Sequence, residues 1–166
     1  MKALKFLGLS VAVATMTVAC GKKESTVVSP SQTITEEAVD ENTVEVRLES
    51  NDAMQYDKTE LRVPVGKTIK LTLVHTGKMA KEMMGHNFVL LNKGVDAADF
   101  ALRAAEAKVT DYVPVEAKND MIAYTKMIGG GESVTVEFTI NEPGEYVYLC
   151  SFPGHFAIMN GKLIAE

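Results

Sequence analysis

The chain reads as an all-β domain, a two-sheet Greek-key sandwich or barrel of seven or eight antiparallel strands with one inserted helix. Three observations lead there. Period-two alternation of apolar and polar residues recurs in short segments across residues 43–166. Turn residues separate those segments at short intervals, and one alanine-rich stretch alone switches to helical spacing. The 166 residues, 46% of them hydrophobic, suffice for a single core. With 17 Lys plus Arg against 22 Asp plus Glu and no Lys/Arg-rich block, the formal charge of −5 excludes the basic footprint of a nucleic-acid binder.

The chain begins with an address. Lys2 and Lys5 precede an apolar run from Phe6 to Ala14, and no acidic residue occurs before Glu24. This is an export signal, too short for a membrane span, and residues 1–19 are expected to be removed. The segment ends Thr17-Val18-Ala19-Cys20-Gly21, which resembles the lipobox of bacterial lipoproteins, with Thr17 where Leu is usual. Cys20 is then the lipidation site; cleavage near Ala19 leaving a free Cys20 is the alternative. Loss of Lys2 and Lys5 takes the formal charge to −7. Residues 20–42, rich in Ser, Thr, Glu and Lys, show no sustained period and read as a flexible tether with a span of roughly 25 Å.

The folded domain is expected over residues 43–166. Val44, Val46 and Leu48 alternate with Glu45, Arg47 and Glu49, the mark of a half-buried strand. Thr68–His75 places Ile69, Leu71 and Leu73 on one side, and Ser133–Ile140 does the same with Val134, Val136, Phe138 and Ile140. Asn87–Leu91, Met121–Lys126, Tyr146–Cys150 and Lys162–Ala165 are further strands. Turn signals at Asn51-Asp52, Pro64-Val65-Gly66, Gly129-Gly130-Gly131 and Pro143-Gly144 divide them. The exception is Asp96–Lys108, where Asp96 stands as an N-cap before Phe100, Ala101, Ala104 and Ala105 at helical spacing. The Gly129–Gly131 run lacks a following G-K-[ST], so it is a turn and not a phosphate cradle.

The chemistry concentrates in Cys150-Ser-Phe-Pro-Gly-His155-Phe-Ala-Ile-Met159, where a thiol, an imidazole and a thioether follow one another within a single loop. Pro153-Gly154 supplies the turn that brings His155 and Met159 back toward Cys150. Two histidines, one thiolate and a weak axial methionine form the donor set of a blue-copper centre. The second histidine is His75 or His86. His86 follows Gly85, whose missing side chain lets its carbonyl approach a metal, whereas His75 shares parity with the core residues of its strand. His86 is therefore the ligand candidate, and His75 a packed histidine that could titrate with redox state. Taken singly, each residue has an ordinary reading: Cys150 and Met159 as core, the histidines as hydrogen-bonded packing groups. Taken together in an exported chain, where an idle thiol is an oxidation liability, they point to a metal centre.

The segments N-D-A-M-Q-Y (51–56), M-M-G-H-N-F-V-L (83–90), A-Y-T-K-M-I-G-G-G-E (123–132) and C-S-F-P-G-H-F-A-I-M-N-G-K-L (150–163) resemble the azurins, bacterial cupredoxins, over about three-quarters of the chain. The lipobox and tether make the resemblance one to the lipid-modified variety. It implies one Cu(I)/Cu(II) ion held by His86, Cys150 and His155, with Met159 long and axial and the Gly85 carbonyl as a second weak contact. Asn87 would tie the two ligand segments by hydrogen bonds. The His155 edge would be the electron port, within an exposed patch drawn from Met54, Met84, Phe152, Pro153 and Phe156. Two departures stand out. Cys150 has no cysteine partner in the domain, so the disulfide usual in azurins, worth about 2–4 kcal/mol, is missing and lower thermal stability is expected. Phe88 stands where a buried tryptophan is usual.

The expected function is single-electron shuttling between redox proteins outside the cytoplasm, such as c-type cytochromes or copper/haem reductases, with no small-molecule substrate and no catalysis. A lipid anchor would hold the domain to a membrane of the cell envelope, the outer membrane by preference. The alternative is copper buffering or delivery, suggested by Met79, Met83 and Met84 beside His86. A copper oxidase or nitrite reductase would need further metal sites, and only His75 remains to supply ligands.

Overall fold

The computed structural model describes residues 41–166. The export signal, Cys20 and most of the tether lie outside the described residues. Among the described residues nine strands form two sheets. The first carries β2 (Gln55–Tyr56), β1 (Thr43–Asn51), β4 (Thr68–His75) and β7 (Ser133–Thr139) in that order. The second carries β3 (Glu60–Val63), β9 (Asn160–Ala165), β8 (Gly144–Leu149), β5 (Val89–Leu91) and β6 (Met121–Tyr124). The sheets face each other without closing into a barrel.

Alternation explains the layers. On β4, Ile69, Leu71 and Leu73 are wholly buried between half-buried Lys70, Thr72 and Val74. Each such side chain contributes about 2 kcal/mol by leaving water. They meet Phe88, Leu90, Tyr148 and Leu163 from the other sheet. Phe88 has no exposure and lies 6.2 Å from Phe138 and 5.5 Å from Tyr148 between ring centroids. It fills the core centre as an aromatic must.

Three expectations need correction. The strand count is nine, because β2 and β3 were not anticipated; β3 alternates exposed Glu60 and Arg62 with buried Leu61 and Val63, but it is only four residues long. The sheets are mixed: β1 pairs parallel with β4, Thr43 opposite Thr68 through Ser50 opposite His75, and β3 pairs parallel with β9. The helix α2 (Ala97–Glu106) is capped by Asp96, whose side chain accepts from the Ala98 and Asp99 N–H groups. It buries Phe100 and Ala104, leaves Ala101 and Ala105 half-buried, and is joined by a short α1 (Lys81–Met84) and two 3-10 turns.

The parallel register has a consequence for the site. It brings the end of β1 beside the end of β4, so the Ser50 carbonyl accepts from both the N–H and the hydroxyl of Thr76. The Asn51–Asp52 turn then reaches across to the segment before α1. Asp52 accepts from the Lys78 and Met79 N–H groups at 2.8 and 3.2 Å. The Lys78 bond leads in holding the Asp52 carboxyl below its usual range.

Candidate metal centre

Antiparallel β8 and β9 are neighbours, and the loop between them must leave one and enter the other within a few ångströms. Cys150 sits just past β8 and Met159 just before β9, with the Cys150 N–H donating to the Met159 carbonyl at 3.0 Å. Inside the loop the N–H groups of Ile158 and Met159 donate to the His155 carbonyl, and the His155 N–H to that of Phe152. A tight turn thus brings the Cys150 thiol and the His155 imidazole to one side of the loop, with Met159 buried at its end.

His86 comes from the other wall. It lies between α1 and β5, bridged to Ile128 by bonds of 3.0 and 2.8 Å in both directions, and not at the start of a continuous strand from Asn87. Its Nε2–H donates to the Asn51 carbonyl at 2.8 Å, which fixes the tautomer and leaves Nδ1 bare toward the centre. That Nδ1 is 3.8 Å from Cys150 Sγ; His155 Nδ1 is 3.6 Å from it. The three donor atoms lie within 4.8 Å of one another, and all three residues are buried. The Gly85 carbonyl stands 3.9 Å from the same sulfur, and Met159 is fully buried.

The walls are joined by Asn87. Its Nδ2 donates to Ser151 Oγ at 2.8 Å and its Oδ1 accepts from the Ser151 N–H at 2.9 Å. Its carbonyl accepts from the Tyr56 hydroxyl at 2.5 Å. Asn51, Ser151 and Tyr56 were not singled out from the sequence; Asn51 acts through its backbone, which no side-chain motif announces.

Burial pushes the Cys150 thiol up to about 11 and the His86 and His155 imidazoles down to about 4. Without metal at neutral pH, the set is a thiol and two neutral imidazoles. A cation among them reverses the thiol's preference, because a coordinated thiolate needs no solvation by water. Soft sulfur and borderline nitrogen, with no carboxylate in the set, suit copper.

His75 is fully buried, as its parity requires, and its ring packs against His86, tilted by 32° with 4.5 Å between ring centroids. Nδ1 accepts from the Gly77 N–H and Nε2–H donates to the Met84 carbonyl. It is thus held behind His86 by two backbone bonds. In the surrounding patch Pro153 is exposed, while Met54, Met84, Phe152 and Phe156 are half-buried. Phe152 packs against His155, tilted with 4.5 Å between ring centroids, whereas Phe156 packs against the cluster that holds α2.

Fold and donor set together define a cupredoxin, a protein with one copper ion and an electron-transfer role. A model of the family described as copper binding proteins, plastocyanin/azurin family, matches residues 42–166. The azurin of Achromobacter denitrificans is 48% identical over 124 residues, 72% of this chain and 82% of that one. Outer membrane protein H.8 of Neisseria meningitidis is 42% identical over 120 residues, 70% of this chain and 64% of that one. Among solved structures, auracyanin A of Chloroflexus aurantiacus, described as a "blue" copper protein, superposes with a TM-score of 0.67 at 30% identity, covering 75% of this chain and 99% of that one. The chain belongs to the plastocyanin/azurin family of copper binding proteins.

Proposed function

We propose that His86 Nδ1, Cys150 Sγ and His155 Nδ1 would hold the copper, with Met159 and the Gly85 carbonyl as weaker neighbours, and that the protein shuttles single electrons between redox proteins of the cell envelope. The observation that carries this is the meeting of three buried donor atoms from two distant segments, with the His86 tautomer already fixed by Asn51. Bound there, copper supplies a one-electron couple whose two states accept the same donors. The chain's own part is to keep those donors still. Asn87 clamps the ligand loop to the His86 wall, Ile128 and Asn51 hold His86, and the apolar core beneath excludes water. Small rearrangement between states is what fast exchange requires. The buried, doubly clamped set favours metal retention over the buffering role that Met79, Met83 and Met84 suggested.

The test is the visible and EPR spectrum of the Cu(II)-loaded chain and of Cys150→Ser. The expected result is an intense blue band with narrow copper hyperfine splitting, both lost in the variant. A colourless protein with ordinary tetragonal copper signals would overturn the reading.

Residues 1–19 act as an export signal, Cys20 as a lipidated anchor and residues 20–42 as a tether to the domain at 43–166; the similarity to outer membrane protein H.8 supports an envelope location. Cys20→Ser is expected to move the protein from the membrane fraction to the soluble one, and continued membrane retention would dismiss the anchor. The natural partners are c-type cytochromes or copper/haem reductases.

A further inference from the structure

The chain is acidic overall, yet its cations are unevenly answered. Arg47, Lys58, Arg62, Lys70, Lys81, Lys93, Arg103 and Lys162 each have a carboxylate within 4.0 Å. Lys67, Lys78, Lys108, Lys118 and Lys126 have no such partner among the described residues. Three of them, Lys78, Lys108 and Lys126, border one pair of adjoining recesses of about 500 and 230 Å³ that share Lys81, Glu82, Asp111 and Met127. Acidic groups are present there too. Asp111 is engaged by Lys81 at 3.3 Å, Glu132 accepts from the Gly129 N–H at 2.8 Å, and Glu82 is exposed. Three lysines are thus left to face outward beside the metal centre.

The smaller recess touches both walls of that centre. Phe152 lines it and packs at a tilt against His155, and Tyr112 meets Phe152 edge-on at 5.3 Å between centroids. Met127 also lines it and packs so closely on Gly85 that a Cβ there would lie 2.8 Å from Met127 Cγ. Tyr112 is held in place at a backbone cost: Asp111 and Tyr112 are consecutive non-glycine residues with φ of 53° and 60°. Left-handed backbone is unfavourable for residues other than glycine and persists where the surroundings impose it.

We propose that this lysine-bordered recess is a docking site for an acidic redox protein, whose surface carboxylates meet Lys78, Lys108 and Lys126. Phe152 and Tyr112 then form the contact path between His155 and the partner's cofactor edge. The proposal rests on the electron-carrier reading and adds to it the partner's charge and the side of approach. One electron crosses per encounter, one centre being oxidised as the other is reduced; no bond changes and no proton moves. Charge complementarity acts mainly on encounter rate and orientation, so the effect is strongest at low salt.

The probe is hexacyanochromate(III), a paramagnetic trianion inert to exchange, titrated into the ¹⁵N-labelled full chain in its reduced copper form. Selective amide broadening at Lys78–Glu82, Lys108–Tyr112 and Lys126–Met127 is expected, abolished by high salt and by the double variant Lys108→Glu/Lys126→Glu. Oxidation by hexacyanoferrate(III) should slow roughly tenfold in that variant at low ionic strength, while oxidation by the cationic tris(phenanthroline)cobalt(III) does not slow. Lys67→Glu, at the far end of β4, serves as the charge control. Broadening spread evenly over the surface, or rates moved equally by the control, would overturn the docking site. Because the blue band is recorded for every variant, its loss would instead count against the copper reading.

Discussion

The two walls of the metal centre are built on opposite principles. The Cys150–Met159 wall is contiguous: a thiol, an imidazole and a buried methionine within ten residues, set by one turn between paired strands. The His86 wall is assembled from pieces far apart in the chain, with Asn51 from the end of β1, His75 from the end of β4 and Ile128 from a bridge ahead of β7. The first can be repositioned by a local change, while the second depends on the global register of β1 against β4. Rigidity of the whole comes from the second wall, donor chemistry mainly from the first.

Breaking the discontinuous wall should do the most damage. A Cβ on Gly85 would lie 2.5 Å from the Lys81 carbonyl oxygen and 2.8 Å from Met127 Cγ, and backbone cannot step aside. Gly85→Val is expected to cost at least about 3 kcal/mol, read as a lowered urea midpoint, and to shift the copper spectrum. A midpoint equal to wild type would mean that this wall is softer than its contacts indicate. Uncoupling the walls is the next step down. Asn87→Ala leaves the buried Ser151 N–H and hydroxyl without their partners, for a loss of about 2–3 kcal/mol, with faster copper release to a chelator. Unchanged release kinetics would show that the walls stay together without the clamp.

Acid probes both walls together. His86 and His155 fold with values near 4 against an ordinary 6.5, so the unfolded chain binds more protons between those limits. Stability of the metal-free protein should therefore be fully present above about pH 6.5 and fall as pH drops toward 4, by up to about 3 kcal/mol per imidazole. Thermal unfolding of the metal-free chain at pH 7 and pH 4.5 measures this; equal midpoints would show that neither ring is held neutral by the fold.

The contiguous wall was legible because its donors are side chains and its turn is written in Pro153-Gly154. The core was legible for the same reason: Ile69, Leu71 and Leu73 repeat at a period that only a strand satisfies. Helix α2 announced itself through Asp96. What the sequence concealed was pairing. Nothing in Thr43–Asn51 says that it will lie parallel to Thr68–His75, since the alternation is identical for either direction. Because that pairing was hidden, so was the bond from His86 to the Asn51 carbonyl, an acceptor common to every residue. The two-residue β2 is too short for any period, and the four-residue β3 was lost against the Pro64-Val65-Gly66 turn beside it.

The bond from His86 to Asn51 has a consequence for metal fidelity. A ring oriented by a backbone carbonyl offers its other nitrogen to whatever cation enters, and zinc accepts thiolate and imidazole as readily as copper does. Magnesium and calcium, which demand oxygen, are turned away by this donor set, but zinc is not. A chain folded in zinc-rich, copper-poor surroundings would therefore become a colourless, redox-silent twin of the working protein. Which of the two forms is made depends on the metal supply where the chain folds.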